Sequence, residues 1–282
     1  MTGLRADCHM HMVLDGACWR DAIARHKEKP DAGFIRKTLG VYRELGYTYL
    51  RDGGDKWGVG AKARELAPEY GITYRTPLSP LCHEGHYGAF IGTAFEDLGE
   101  YARLVVKNRE SGADFIKIMI SGLMDFDRFG VLTEEGLDGE EIAQLIHIAH
   151  QEGMVVMAHA NGKTALWAAQ AGVDSVEHGA YLNEETLYAM KEAGTVWVPT
   201  LSTIGNLRGK GRFSEPDVEK ILESALENVE KFHKIGGRIA AGTDAGAWAV
   251  PHGSTTEEGY LSQAGVLESD LEKALNIIQS KF

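Results

Sequence analysis

Eight short runs of strand-forming residues, each followed by a longer stretch with helical patterning, recur from one end of the chain to the other. The runs are Leu4–His9, Tyr47–Arg51, Ile72–Thr76, Phe115–Ile120, Val155–His159, Ser175–His178, Thr195–Pro199 and Arg238–Thr243. Among the segments between them, Glu140–Glu152 sets Ile142, Leu145, Ile146 and Ala149 at helical spacing, and Tyr101–Glu110, Glu184–Glu192 and Val218–Lys234 are similarly amphipathic. Parallel neighbours need a crossover connection, usually a helix, so this alternation predicts an α/β fold with a parallel sheet and outer helices. Eight repeats favour a closed (β/α)8 TIM barrel. The competing architecture, an open doubly wound sheet, usually carries a G-x-G-x-x-G turn after its first strand, and none stands there. Glycines at 46, 71, 112, 153, 172, 194 and 236 fall where helices should end.

A chain of 282 residues, 44% hydrophobic and 25% charged, can bury one large core. No linker or low-complexity stretch divides it, so residues 1–282 are expected to form one domain. The net charge of −12 argues against a nucleic-acid or anionic-membrane partner, since both require a basic surface. Cys8, Cys18 and Cys82 share no C-x-x-C spacing and leave an odd count, which speaks against a disulfide framework or a structural zinc site. No apolar run approaches the roughly 18 residues of a membrane span. The simplest reading is a reduced, soluble, cytoplasmic protein; assembly into a homo-oligomer is left open.

Active sites of such barrels sit at the C-terminal ends of the strands. The first run ends Asp7-Cys8-His9-Met10-His11, and side chains two apart on a strand share a face, so both imidazoles can reach one metal ion. The fourth carries Lys117 in an apolar setting, the fifth ends in His159, the sixth in Glu177-His178, and the eighth in Gly242-Thr243-Asp244. A protonated lysine among apolar neighbours is costly to bury. One histidine at a strand end would mean little; four, with an aspartate and a lysine, point to a metal centre.

The order His-x-His, Lys, His, His, Asp over strands one, four, five, six and eight resembles the amidohydrolase superfamily. The phrases Gly112–Ser121 (GADFIKIMIS), Val155–Gly162, Gly172–Gly179 (GVDSVEHG) and Gly242–Gly246 (GTDAG) are similar to its branch of imidazolonepropionase-like proteins and metal-dependent prolidases or carboxypeptidases. The resemblance spans about residues 5 to 250. It implies two divalent metal ions, zinc first among manganese, cobalt and iron. His9 and His11 with Asp244 would hold the more buried ion, and His159 and His178 the other. Lys117 would bridge both as a carbon dioxide-derived carbamate. Many members flank the barrel with a small β-sandwich built from both chain ends, which this chain is expected to lack.

The implied activity is hydrolysis of an amide bond in a dipeptide-like or small cyclic amide through a metal-activated hydroxide, with Asp244 as general acid and base. The same ligands would serve a lactone, ester or phosphotriester hydrolase, and a non-catalytic metal-binding paralogue is a further alternative. Lys117 paired instead with a core carboxylate would leave a one-metal site. In Cys82–Gly88, His86 is the candidate to hydrogen-bond the substrate carbonyl, against a solvated loop. Tyr181 and Trp248 are candidate substrate contacts, and Arg208, Lys210 and Arg212 form a Gly-interrupted basic loop in which Arg208 is the candidate carboxylate clamp. Met10, Met12 and Met124 suggest an apolar approach to the metals. Some peptidase-like relatives carry an arginine just past the His-x-His pair; here the chain reads Met12-Val13-Leu14-Asp15. His147 and His150 are expected on a helix surface.

Overall fold

The computed structural model describes residues 5–282, so Leu4, the expected first residue of strand one, lies outside the described residues. In chain order the strands are β1 (Arg5–Met10), β2 (Tyr47–Asp52), β3 (Thr73–Arg75), β4 (Leu81–His83) and β5 (Thr93–Phe95). They continue as β6 (Ile116–Met119), β7 (Val156–Ala160), β8 (Ser175–His178), β9 (Val196–Val198) and β10 (Arg238–Ile239). The helices are α1 (Trp19–His26), α2 (Ala32–Glu44), α3 (Val59–Leu66), α4 (Leu98–Glu110), α5 (Gly139–Gln151) and α6 (Lys163–Gln170). After them come α7 (Glu184–Ala193), α8 (Ser202–Gly205), α9 (Glu215–Lys234), α10 (Thr256–Gln263) and α11 (Glu268–Lys281). Each of the eight expected strands corresponds to one of these; those expected at 72–76, 115–120, 195–199 and 238–243 are shorter in the structure.

All strand pairs are parallel, in the orders β1-β2-β3 and β10-β9-β8-β7-β6-β4-β5. Backbone hydrogen bonds bridge the two gaps. Asp114 N–H donates to Thr76 O (3.0 Å) between β3 and β6. Cys8 N–H donates to Ala241 O (2.8 Å) and Asp244 N–H to His9 O (2.7 Å) between β10 and β1. The result is a (β/α)8 barrel. Strands β4 and β5 were not anticipated: β4 pairs with β6 and β5 with β4, and three residues each are too few for a periodic signal.

Local chemistry explains the elements. In α5, Asp138 caps the N-terminus by accepting from Glu141 N–H (2.9 Å), a contact worth about 1 kcal/mol. Its Ile142, Leu145 and Ile146 are fully buried, contributing roughly 1.5–3 kcal/mol each. The seven helix-closing glycines all adopt positive φ, between 68° and 83°, where any side chain would be strained.

The barrel interior is layered. At its N-terminal end Cys8, Tyr49, Phe115, Met157, Val196 and Val198 meet Ala274, Leu275, Ile278 and Phe282 of the last helix, which closes the barrel floor. Above this lies a polar layer of Arg51, Ser175, Glu177 and Lys117, all buried. The histidines and Asp244 stand above that, at the C-terminal mouth. Among the described residues no helix is long and apolar enough to cross a membrane.

Candidate active site

Strand register assembles the site. Met119 lies beside His159 and Ala160 beside His178, so the side chains of β6, β7 and β8 step around one mouth. His9 Nε2 is 3.3 Å from His11 Nε2 and 3.6 Å from Asp244 Oδ1, and His11 Nε2 is 3.2 Å from the same oxygen. The His178 ring lies 4.9 Å from that of His9 and 4.5 Å from that of His159, between centroids. His9, His178 and Asp244 each offer a ligand atom, all within 4.8 Å of one another. Two of these residues sit in strained backbone, His178 at φ 68° and Asp244 at φ 56°, as does Thr200 at φ 51°.

Several ligand candidates are held by neighbouring side chains and backbone. His9 Nδ1 lies 2.6 Å from Glu177 Oε2, and Arg51 Nη2 donates to Glu177 Oε1 (2.8 Å). Arg51 also donates to Cys8 O (2.7 Å) and Ser175 Oγ (3.0 Å), and its guanidinium lies 4.5 Å from the Phe282 ring centre. His178 Nδ1 meets Thr200 Oγ1 at 2.7 Å, and the adjoining Leu201 and Ser202 donate their N–H groups to the buried Glu257. Asp7 accepts from the Thr243 amide (2.9 Å) and hydroxyl (2.6 Å), fixing the turn before Asp244. His159 Nε2 stands 3.3 Å from both Gly122 O and Asn161 Nδ2. Gly53 packs so closely on His11 that a Cβ there would lie 2.1 Å from the ring Cε1.

The electrostatics suit cations. Burial, with Lys117 nearby, lowers His9 to about 4 and His159 to about 3, and burial holds His178 well below its usual range. Neutral imidazole is the form that ligates a metal. Burial pushes Asp244 up, but His9, His11 and Lys117 outweigh it and hold the carboxylate below its usual range. Burial lowers Lys117 to about 8, against the pull of Glu177 and Asp244. Lys117 Nζ, Asp244 Oδ1 and His11 Nδ1 are buried with no hydrogen-bond partner. Such orphaned polar atoms are costly in a native interior unless something else satisfies them. His9, His178 and Asp244 bring two imidazole nitrogens and a carboxylate together, a donor set that fits a divalent metal ion.

The remaining expected site residues divide. Trp248 lines the cavity above the histidines; Tyr181, Arg208 and His86 do not. Tyr181 packs on Phe129 (5.5 Å between ring centres). Arg208 turns to Tyr260 Oη (3.3 Å) and Glu219 (3.8 Å). His86 Nδ1 is 3.6 Å from Glu134, while its neighbour Tyr87 faces the cavity and lies 5.0 Å from the His159 ring. Met124 lines the cavity, but Met10 and Met12 are buried in the core between β1 and α2. His147 and His150 are exposed on α5. Sequence reasoning assigned no role to Glu177, Arg51, Thr200 or Tyr87. Glu177, an acid next to a candidate ligand in an apolar strand, carried the one usable signal.

The cavity has a volume of about 790 Å3. Its walls are largely aromatic and aliphatic: Trp19, Tyr87, Phe90, Phe126, Phe213 and Trp248, with Met119, Leu123 and Leu207.

These features define a barrel whose mouth gathers a group of residues able to hold a metal ion, and the sequence profile of the Amidohydrolase family matches residues 75–275. The chain belongs to that family. It is 27% identical over 295 residues to the ochratoxinase of Aspergillus niger, covering 89% of this chain and 58% of that protein. The chain thus spans little more than half the length of that curated relative. The structure resembles a Xaa-Pro dipeptidase with bound methionine (TM-score 0.74, 24% identity, 96% of this chain and 73% of that one). It also resembles the A. niger ochratoxinase crystal structure (TM-score 0.75, 23% identity, 96% and 68%). A prolidase complexed with N-methylphosphonate-L-proline is similar as well (TM-score 0.70, 22% identity, 96% and 71%).

Proposed function

We propose that this protein is a metal-dependent hydrolase that cleaves the C–N bond of a small amide, dipeptide-like or cyclic. One observation carries the reading. Three imidazoles kept neutral by burial and one ionised carboxylate line the same largely apolar cavity as a buried lysine amine with no hydrogen-bond partner. Membership of the Amidohydrolase family supports it, as do relatives named ochratoxinase and Xaa-Pro dipeptidase.

His9, His11, His159, His178 and Asp244 are the residues to hold two divalent ions, zinc by preference. Lys117 joins them once its neutral amine has captured carbon dioxide: the N–C bond forms, a proton leaves, and the side chain becomes an anionic oxygen donor. When bound, such ions acidify water and polarise a carbonyl. The chain supplies the rest. Asp244, its Oδ1 free of hydrogen bonds, takes a proton from the attacking water and returns it to the departing nitrogen. Glu177 and Thr200 orient His9 and His178. The aromatic walls exclude water and favour substrates with a sizeable apolar group.

The test is Asp244→Asn, assayed against a library of N-acyl amino acids and cyclic amides beside esters, lactones and phosphotriesters. Turnover of amides by the wild type, lowered about 100- to 10,000-fold in the variant while most of the metal is retained, supports the mechanism. Full activity in the variant removes Asp244 from it. Turnover confined to esters or phosphotriesters removes the amide.

A further inference from the structure

Three strand ends are fastened to one side chain that no step of the proposed reaction uses. Asn161 stands two residues beyond His159, is buried and lines the cavity. Its Oδ1 accepts from Ala180 N–H (2.8 Å), which sets the orientation of the amide and turns Nδ2 toward the end of β6. There Nδ2 donates to Gly122 O (2.9 Å) and Ser121 Oγ (3.3 Å). The backbone joins in: Asn161 N–H donates to Ser121 Oγ (3.0 Å), and Asn161 O accepts from Thr164 Oγ1 (2.9 Å). One residue thus ties together the loops that follow β6, β7 and β8. The β8 loop needs such a tie, because His178 and Gly179 are both left-handed (φ 68° and 66°) and Ala180 is next along.

Residues 122–136, after β6, form a flap in the cavity wall. Asp125 N–H donates to Val131 O (2.9 Å), Thr133 N–H donates to Leu123 O (2.8 Å), and Met124 and Leu132 make an antiparallel bridge, so the flap holds its own shape. It brings Leu123, Met124 and Phe126 to the cavity. Both of its roots rest on the turn that starts at Asn161. Gly122 takes the Asn161 amide, and a Cβ added at Gly136 would meet the Thr164 methyl group. The two roots also touch, since a Cβ at Gly122 would lie 2.6 Å from Glu134 Cγ. Three donors converge on the Gly122 carbonyl: Asn161 Nδ2 at 2.9 Å, Ser121 Oγ at 3.1 Å and His159 Nε2 at 3.3 Å. A carbonyl oxygen has two lone pairs, so the three share them and a shift of one is felt by the others.

We infer that Asn161 is a positioning residue that clasps the root of this flap to His159 and to the loop of His178. One amide then sets both the apolar wall that meets the substrate and the imidazoles proposed for the second ion, so the two move together. This rests on the metal-hydrolase reading, in which His159 and His178 are ligands, and deepens it.

The experiment compares wild type with Asn161→Asp, which keeps the acceptor for Ala180 and loses the Nδ2 donors, and with Asn161→Ala, which loses both. Amide hydrogen exchange is followed by NMR on the metal-free chains, and Co2+ binding by titration of its visible d–d bands. In Asn161→Asp the amides of Asp125 and Thr133 should exchange about 3- to 10-fold faster, while Ala180 and the amides of α5 keep their wild-type rates. Asn161→Ala should release Ala180 as well. Co2+ affinity should fall about 10- to 100-fold in both variants, with the bands displaced. Flap exchange at the wild-type rate in both variants overturns the clasp. So does faster exchange throughout, α5 included, which would make Asn161 a prop of the whole fold. A loosened flap with Co2+ affinity and spectrum unchanged overturns the link to the ligands. A wild type that binds no Co2+ overturns the metal-hydrolase reading instead, and the exchange rates still decide the clasp.

Discussion

His9 and Glu177 meet through Nδ1 and Oε2 at 2.6 Å, and neither side chain reaches solvent. Glu177 is ionised there: burial alone would raise it, but Arg51 and His9 outweigh burial and hold it down to about 2. The carboxylate fixes the tautomer of His9 and leaves Nε2 facing the cavity, beside Asp244. Glu177→Gln keeps the shape but removes the charge. Metal affinity, read by competition with a chromophoric chelator, should fall about 10- to 100-fold. An unchanged affinity would mean that Glu177 serves Arg51 and the core rather than the metal site.

Gly53 gives a steric counterpart to that electrostatic test. It follows β2, and the His11 ring occupies the space a side chain would need. Gly53→Ala should displace His11 and lower metal occupancy in elemental analysis, with the chain still folded by circular dichroism. Full occupancy in the variant would show that His11 can shift without leaving the ligand set.

Glu257 provides the pH dependence. It is buried away from the ligands, and burial raises it to about 8 despite its hydrogen bonds to Leu201 and Ser202. Its unfolded value is about 4.3. The folded state therefore binds the proton more tightly, so this group's contribution is fully present below about pH 4 and is lost as pH rises to about 8. Glu257→Gln should abolish that slope: the Tm difference between variant and wild type should move in the variant's favour from pH 5 to 8. A difference that stays constant over this range would show that the carboxyl titrates near its ordinary value.

Much of this was legible in the residues. Strand positions followed from apolar runs between helix-closing glycines, because a helix that ends in left-handed backbone needs glycine there, and all seven adopt it. The ligand candidates were legible because a polar side chain at the end of an apolar strand is costly to bury unless it binds something. Arg208 and Arg212 were not separable: both lie in one basic loop, and only the folded chain shows that Arg212 lines the cavity while Arg208 turns to Tyr260. Glu177 and Arg51 form their pair across 126 residues of sequence, a separation that no local pattern encodes. His86 and Tyr87 are neighbours, and the direction of a loop decided which faces the cavity.

Lys117 carries the central claim. Its amine is buried and has no hydrogen-bond partner, and the residue lines the same cavity as the groups proposed as metal ligands. Elemental analysis of wild type and Lys117→Ala, both prepared with bicarbonate and without chelator, tests it most directly. A lysine-bridged pair of ions predicts close to two divalent ions per chain in the wild type, falling to one or none in the variant. One ion in both would contradict it, leaving Lys117 a structural residue and the site mononuclear.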